Sequence, residues 1–267
     1  MTKTTLAVSL SLALLASPLA FANPITRDLN AVSAGVTGTN FNYSEAVPAV
    51  FGPSDAETGI VPGFRVGLSG TYGVPFLGQM YTGLAYNQSG GNIGYRQGNR
   101  VRTLDSASFY NVGATVGKPV FLARDIAVLP YVTGGYHQWN RNLQGPGGYN
   151  EVYSNEYAGL GVKGFYAVNR RLVLGAHAGF DAVLGGGVSA YLRQTRLDAS
   201  FQTSGQESLG LSVNYAVRPG WGLYADAGYT HLNYTGGSVF YGGQAIGFEP
   251  ASQSNIVGVG LGVKAYF

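Results

Sequence analysis

The last thirteen residues of the chain carry the pattern that most constrains its fold. Apolar residues stand at every second position from Val257 to Phe267, and the positions between them hold mainly glycine. A period of two predicts a β-strand with one apolar face. The pattern recurs along the chain, with almost no helical periodicity. In lipid such strands are tolerated only when every edge is paired, so the sequence predicts a closed transmembrane β-barrel.

The apolar face of this last strand includes Val259, Leu261 and Val263, and it ends on the aromatic Phe267. Such a strand, behind a signal peptide, resembles the C-terminal assembly signal of bacterial outer-membrane β-barrel proteins. The resemblance implies that the barrel-assembly machinery reads this strand. Among such proteins, the glycine-rich strands and long polar loops are most similar to the small opacity-type, porin-like barrels.

Composition agrees with alternating strands. Only 11% of the 267 residues are charged, against about 25% in soluble domains. After the leader, no apolar run approaches the roughly 18 residues of a membrane-spanning helix. The 42 glycines and 19 tyrosines suit strands, turns and aromatic girdles. The absence of cysteine excludes disulfides and thiolate sites, and the formal charge of +3 gives no case for nucleic-acid binding.

Residues 1–22 predict a cleaved secretory signal peptide. Lys3 supplies the positive start, residues 6–15 form a short apolar stretch, and Ala20 and Ala22 flank a small-x-small cleavage site. The mature chain would then comprise residues 23–267 as a single outer-membrane barrel domain.

Ten segments of this mature chain alternate with period two. They lie near 31–43, 62–72, 79–88, 103–117, 127–140, 152–166, 171–183, 206–217, 221–234 and 255–267. Long polar connections alternate with short ones, as outer loops and periplasmic turns do in outer-membrane barrels. We therefore predict an all-β, up-and-down antiparallel barrel of ten strands with both termini in the periplasm. Eight strands is the alternative, if the fifth and sixth segments are misassigned.

Two local departures from regular strands are predicted as well. The apolar phase of the first strand shifts near Gly38 and resumes at Phe41 and Tyr43, which indicates a β-bulge. Residues 189–200, within a long polar connection, are expected to form a short helix.

Few ionisable residues occupy inward positions of the predicted strands. They are Arg65, Lys163, His177, Asp181, Asp226 and Lys264. We interpret them as a polar network that fixes strand register and bridges the lumen, because charges away from bulk water need partners. A selectivity ring or proton-linked gate is the alternative. Inward glycines leave room for Tyr81, Phe109 and Tyr157 to lie across the lumen, which favours a plugged or very narrow interior over a narrow water path.

The catalytic residues of known barrel enzymes are only partly present in this sequence. Outer-membrane phospholipases and lipid A deacylases resemble one another in a His-x-Ser pair, but here Asn233 follows His231 and offers no nucleophilic hydroxyl. Barrel proteases share paired aspartates and a His–Asp couple at the rim; His137 and Asp181 are the nearest candidates, and no Asp-Asp pair occurs. We therefore predict that the protein is not an enzyme and that it has neither a cofactor nor a metal site.

Arginines are concentrated in two of the predicted outer loops. They are Arg96, Arg100 and Arg102 in the second loop, and Arg193 and Arg196 in the fourth. Arginine pairs with phosphate bidentately, so these residues are candidate contacts with lipopolysaccharide. Solvated loops of mixed charge are the alternative. The first loop is acidic, with Glu45, Asp55 and Glu57.

Together these features predict a non-enzymatic outer-membrane barrel of the cell envelope, whose surface loops serve adhesion, interaction or envelope support. A narrow porin-like channel for small solutes is the alternative, and a lipid-modifying enzyme built on His231 is the third and least favoured hypothesis. The expected partners are outer-membrane lipid and lipopolysaccharide, signal peptidase and the barrel-assembly machinery.

Overall fold

The computed structural model describes residues 23–47, 54–99, 101–193 and 195–267. The predicted signal peptide, with Ala20 and Ala22, lies outside the described residues. The described part of the chain starts with a short helix, α1 (Pro24–Leu29), and continues almost entirely as β-strands. No helix in these ranges is both long enough and apolar enough to cross a membrane.

Ten long strands form the wall of the molecule. They are β1 (Ala31–Ala46), β2 (Asp55–Val74), β3 (Gly78–Gln97), β4 (Val101–Gly117), β6 (Ile126–Asn142), β7 (Asn150–Ala167), β8 (Leu172–Leu192), β10 (Ser204–Arg218), β11 (Trp221–Tyr234) and β14 (Ala251–Tyr266). Four short strands, β5 (Val120–Phe121), β9 (Thr195–Ser200), β12 (Gly237–Tyr241) and β13 (Gln244–Glu249), attach to them. Neighbouring long strands are antiparallel, and the β1–β14 and β8–β10 pairings close the sheet into a barrel. The prediction of ten strands is confirmed, and the eight-strand alternative is wrong.

An outward apolar belt surrounds part of this wall. Val36 and Leu261, for example, leave 66% and 63% of their surface exposed on the outer face. Aromatic residues border the belt, with Tyr86 and Tyr229 on one side and Trp221 on the other. We call the side with the short hairpin turns and both described termini the turn end, and the opposite side the loop end.

The strands continue far beyond the belt at the loop end. At roughly 3.3 Å per residue and a tilt of about 40°, a strand such as the 20-residue β3 rises about 50 Å along the barrel axis, twice the height of a membrane band. The predicted loop at 89–102 is therefore mostly β3 and β4. The helix predicted at 189–200 is wrong, because that segment forms the hairpin of β8 and β9.

The bulge predicted near Gly38 is also wrong. The register of β1 with both neighbours is continuous from Ala31 to Ser44. Phe41 and Tyr43 keep the inward parity and are buried in the interior, while Asn40 faces outward. The apolar phase shifts because the outer face becomes polar above the belt, where water replaces the apolar surroundings, and the inner face becomes aromatic.

Candidate functional site

The inward faces of the wall enclose a cavity of about 680 Å³, which we call the chamber. The ionisable residues predicted to face the lumen, Arg65, Lys163, His177, Asp181, Asp226 and Lys264, all line it. Its lining reaches Asp28 and Leu29 at the turn end and Phe41 and Phe109 at the loop end. The chamber therefore lies between two groups of packed side chains, a floor and a ceiling.

The floor is helix α1, which folds into the turn end of the barrel. Asn23 caps the helix by accepting a hydrogen bond from the Ile25 amide at 2.8 Å, as residues at helix N-termini commonly do. Ile25 and Leu29 are buried against inward residues of the wall, among them Tyr81. The Arg27 guanidinium donates to the Arg170 carbonyl oxygen at 2.7 Å, which ties the helix to a short turn.

The ceiling is a cluster of aromatic rings above the chamber. It comprises Phe41, Tyr43, Phe109, Trp139, Tyr153, Phe201 and Tyr234, with Val61, Ile93, Val183, Val188 and Leu232. The rings of Phe41 and Phe109 lie 4.7 Å apart and those of Trp139 and Tyr153 lie 5.0 Å apart, centroid to centroid. Tyr43 on β1 and Tyr153 on β7 stand on opposite sides of the barrel, and their ring centroids lie 6.3 Å apart, so the rings fill the lumen with apolar surface.

Inward tyrosines within the chamber pack against inward glycines of the same strand or of strands one or two positions away. A Cβ atom at Gly113 or at Gly135 would stand 2.5 Å from the Tyr157 hydroxyl oxygen, and one at Gly83 would stand 2.7 Å from that of Tyr81. The glycines thus provide the space that the rings occupy. The prediction that inward glycines leave room for Tyr81 and Tyr157 is confirmed for these two rings.

Of the six predicted lumen residues, the structure joins only Arg65 and Asp226. Their guanidinium and carboxylate groups meet at 2.8 Å across the inner face of the sheet. The Asp181 carboxylate instead accepts a hydrogen bond from the Gln206 amide at 3.0 Å. The Lys163 ammonium lies over two tyrosine rings. The network predicted from the sequence is therefore a set of separate contacts.

A second polar group, the arginine cluster, lies above the ceiling at the loop end. Its centre is Arg141, which is only 1% exposed. The guanidinium contacts the carboxylates of Glu57 and Glu151, the latter at 2.5 Å. Asp55 lies at 3.7 Å and Glu45 at 4.0 Å from its terminal nitrogens.

Tyrosines and two further acids complete the arginine cluster. Tyr43 and Tyr95 donate hydrogen bonds to Glu45 and Asp55, both at 2.9 Å. Tyr153 donates to Glu249 at 2.9 Å. The sixth acid, Asp105, is fully buried and accepts from the Asn142 amide at 2.5 Å, and its other carboxylate oxygen lacks a partner among the described residues.

One guanidinium faces six acidic side chains, of which Asp55, Glu57, Asp105 and Glu151 are buried and Glu45 and Glu249 are half-buried. Burial, joined by neighbouring carboxylates, raises the pKa of Glu45 to about 8 and that of Glu249 to about 7. Burial likewise raises the pKa of Glu57 to about 9, against the opposing attraction of Arg141. No group of His, Asp or Glu within the described ranges has an arrangement suited to a metal ion.

Sequence reasoning missed this cluster. Glu45, Asp55 and Glu57 were expected in a solvated outer loop, but they belong to β1 and β2 and point inward. The signal that could have revealed it is strand alternation: Asp55 and Glu57 are separated from the inward Arg65 by even numbers of residues, so they share its face of the strand. That alternation continues beyond the belt because the strand itself does.

The candidate lipopolysaccharide contacts fall into two separate places. Arg96 and Arg102 are exposed and directly opposite each other on β3 and β4. Arg193 and Arg196 belong to the β8–β9 hairpin, and β8 is three strands from β4 around the wall. Arg100 lies outside the described residues. Arg96 follows Tyr86 by ten positions, which places it roughly 25 Å above the aromatic border.

The residues compared with barrel enzymes do not form a catalytic set in the described part of the chain. Nδ1 of His231 lies 3.0 Å from the Asn255 side-chain oxygen, which also accepts a hydrogen bond from the Tyr229 hydroxyl at 2.6 Å. His137 and Asp181 line the chamber beneath the ceiling. The expectation that these two lie near the rim is wrong, because the strands extend well above them.

The C-terminal strand has the predicted orientation. Val259, Leu261 and Val263 are exposed on the apolar outer face of β14. Phe267 follows the last residue of that strand, and its amide donates to the Asn30 carbonyl oxygen at 3.3 Å.

Comparison with known proteins supports the fold. The chain matches no protein-family model and no curated protein sequence. Its structure is similar to that of the outer membrane protease OmpT from Escherichia coli, with 12% identity, a TM-score of 0.56, and coverage of 89% of this chain and 95% of that one. It is also similar to the transport unit of the autotransporter AIDA-I from Escherichia coli (13% identity, TM-score 0.47, covering 88% and 90%). Ail, the attachment invasion locus protein of Yersinia pestis, matches at 10% identity and a TM-score of 0.36, covering 89% and 99%. The fold is that of the outer-membrane β-barrels.

Proposed function

We propose that this chain is a bacterial outer-membrane barrel without a continuous pore, and that it acts through the surface of its loop end. The observation that carries the proposal is the closure of the lumen at two levels. Helix α1 fills the turn end, and the aromatic ceiling with the arginine cluster fills the loop end. In this arrangement the short turns and both termini of the mature chain lie in the periplasm.

The loop-end extension supports a role in adhesion, interaction or envelope support. It carries exposed arginines and, on the β12–β13 hairpin, exposed Phe240, Tyr241, Ile246 and Phe248. Exposed apolar and cationic side chains at one end of a rigid wall are typical of contact surfaces. Arg96 and Arg102 suit phosphate or other acidic groups some distance above the lipid, such as those of lipopolysaccharide sugars.

Bilayer recording tests the absence of a pore. We expect refolded residues 23–267 to give no conductance steps when heat-modifiable migration on gels confirms that the barrel is folded. A matched variant that lacks residues 23–29 and carries Trp139→Ala and Tyr153→Ala removes floor and ceiling together, and we expect it to conduct. Discrete steps from the unaltered chain would contradict the proposal.

A narrow channel for small solutes is the second candidate, and the chamber of about 680 Å³ with its Arg65–Asp226 pair favours it. In this case the floor helix would act as a gate. The same recordings distinguish the two, because a native channel would change its ion preference when Arg65 and Asp226 are both replaced by alanine.

The proposal includes no catalytic activity. His231 has an amide oxygen and a tyrosine for neighbours, and Asn233 occupies the position of the serine in the enzymes it was compared with. We expect His231→Ala to leave the lipid and lipid A composition of expressing cells unchanged. A lipid product that disappears in this variant would restore the enzyme hypothesis.

A further inference from the structure

We propose that the floor side of the chamber is a binding site for one small anion, a carboxylate or an inorganic oxyanion, held by Lys163 and Lys264. The inference goes beyond the surface role proposed above. It rests on two lysines without anionic partners, on the balance of charge around the floor, and on the size of the cavity that both lysines face.

Lys163 has aromatic neighbours and no acidic one. Its ammonium nitrogen lies 5.5 Å from the ring centroid of Tyr81 and 5.3 Å from that of Tyr131. These rings hold the cation by their π faces, which leaves its charge uncompensated. Among the described residues no carboxylate comes within 4.0 Å of it. The nitrogen therefore faces the chamber as a fixed positive group.

Lys264 adds a second positive group near the same end. It stands on β14 opposite Gly222 of β11 and Ser33 of β1, one residue from the point where Trp221 begins β11. Its side chain lines the chamber. No carboxylate among the described residues comes within 4.0 Å of its ammonium group, and the Oδ1 atom of the nearby Asp28 contacts Arg27 at 3.1 Å.

The charges around the floor are not balanced. Arg27, Lys163 and Lys264 supply three positive charges there, whereas Asp28 supplies one negative charge. The other chamber charges do not correct this excess. Arg65 and Asp226 neutralise each other, and Asp181 lies toward the ceiling, two residues before the buried Val183 of that cluster. An excess of positive charge inside low-dielectric walls attracts an anion strongly.

The chamber has the size and lining of a small-ligand site. Its volume of about 680 Å³ lies within the range of about 300–1,000 Å³ that is common for such sites. The hydroxyl groups of Ser33, Thr115 and Ser212 line it and can donate to ligand oxygens. Phe165 and the tyrosine rings supply apolar surface. Ammonium groups beside hydroxyl donors are suited to carboxylate, phosphate or sulfate oxygens.

Equilibrium dialysis of radiolabelled inorganic phosphate and of radiolabelled acetate tests the site. Residues 23–267 are refolded in detergent in the presence of each anion, so that entry past the floor does not limit binding, and ionic strength is held constant with chloride. We expect saturable binding that approaches one anion per chain. Lys163→Met and Lys264→Met should each weaken it at least about tenfold, and the double variant should abolish it.

Lys118→Met is the matched control, because Lys118 is exposed on a turn outside the chamber. This variant should bind the anion as the unaltered chain does. If a chamber variant does not fold, the unaltered chain is studied instead: its lysines are labelled by reductive ¹³C-methylation, and their methyl signals are followed by NMR. The methyl signals of Lys163 and Lys264 should then move on addition of the anion while that of Lys118 stays fixed.

The two anions distinguish the ligand chemistry. Binding of phosphate alone would assign an oxyanion, binding of acetate alone would assign a carboxylate, and binding of both would support their shared recognition. Saturable binding of neither anion would overturn the proposal. So would equal binding by the unaltered chain and a folded double variant, or an equal response of all three methylated lysines.

Discussion

Replacing Arg141 by methionine removes the central cation of the arginine cluster while keeping most of the side chain's volume. Arg141 is buried beneath the loop-end rim and contacts the carboxylates of Glu57 and Glu151 directly. Burial already raises the pKa of Glu57 to about 9, so the direct partner that matters at pH 7 is Glu151. Without Arg141, the Glu151 carboxylate must take up a proton or stay charged in an apolar setting. Removing one partner of a buried pair typically costs about 3–5 kcal/mol.

The free-energy cost of protonating the unpaired carboxylate depends on pH. A glutamate with an ordinary pKa of about 4.3 requires about 1.4 kcal/mol for each pH unit above that value to become protonated. At pH 7 the loss of Arg141 should therefore cost the loop-end structure about 3.8 kcal/mol, and at pH 5 only about 1 kcal/mol. The difference between the two pH values identifies an uncompensated carboxylate as the cause.

Tryptophan fluorescence measures this cost locally. The chain has two tryptophans, Trp139 in the ceiling and Trp221 at the border of the belt, so a Trp221→Phe background reports the ceiling alone. Urea titrations followed by Trp139 emission should show the loss. Arg196→Met is the matched control: the Arg196 and Asp198 side chains are 58% and 50% exposed, and an exposed pair should contribute nothing measurable. A loss equal at both pH values, or no larger than that of the control, would refute the reasoning.

Three further predictions follow from the interior. Burial raises the pKa of Glu45 to about 8, that of Glu57 to about 9 and that of Glu249 to about 7, so the folded loop end binds protons that an unfolded chain releases. Its stability should fall as pH rises from roughly 5 to 9, measured by Trp139 emission in urea, and a rise would contradict the assignment. Gly135→Ala should destabilise the barrel by about 1–3 kcal/mol, because its Cβ would stand 2.5 Å from the Tyr157 hydroxyl; Gly164→Ala, with open space, should have little effect on the urea midpoint. Arg65→Met should destabilise the barrel more than the double change Arg65→Met with Asp226→Leu, since the single change leaves a carboxylate unpaired in the lumen; equal losses in urea titrations would argue against a pair.

The membrane-level part of the barrel was predictable because its signal is local. Apolar surroundings require an apolar side chain at every second position, and a run such as Leu209, Leu211 and Val213 shows this within a few residues. Strand number and the inward parity of Arg65 and Lys163 follow from the same period. Each of these conclusions depends on short stretches of chain.

The parts of the strands beyond the belt at the loop end were predicted as loops. The alternation of apolar and polar residues that marks a strand is lost where the outer face meets water. Above the belt the outward positions are polar, as at Asn40, so only the inward half of the alternation stays apolar. The inward aromatics Phe41 and Tyr43 then imitate a change of phase. If the inward alternation of β1 had been continued past Tyr43, it would have placed Glu45 inside the barrel. An acidic residue in that position is usually assigned to a solvated loop instead.

From the amino-acid pattern one can infer that this chain forms alternating strands, that ten of them close a barrel, and which residues of the membrane-level segments face inward, because period and parity are properties of neighbouring residues. The contacts that the inward residues make, and the inward acids of the loop end, came from the three-dimensional structure. Arg141 and Glu57 are 84 residues apart and Arg65 and Asp226 are 161 apart, and helix α1 closes the end of a barrel formed by strands that follow it. Partners across a lumen are set by the stagger of the closed sheet, which no local pattern encodes.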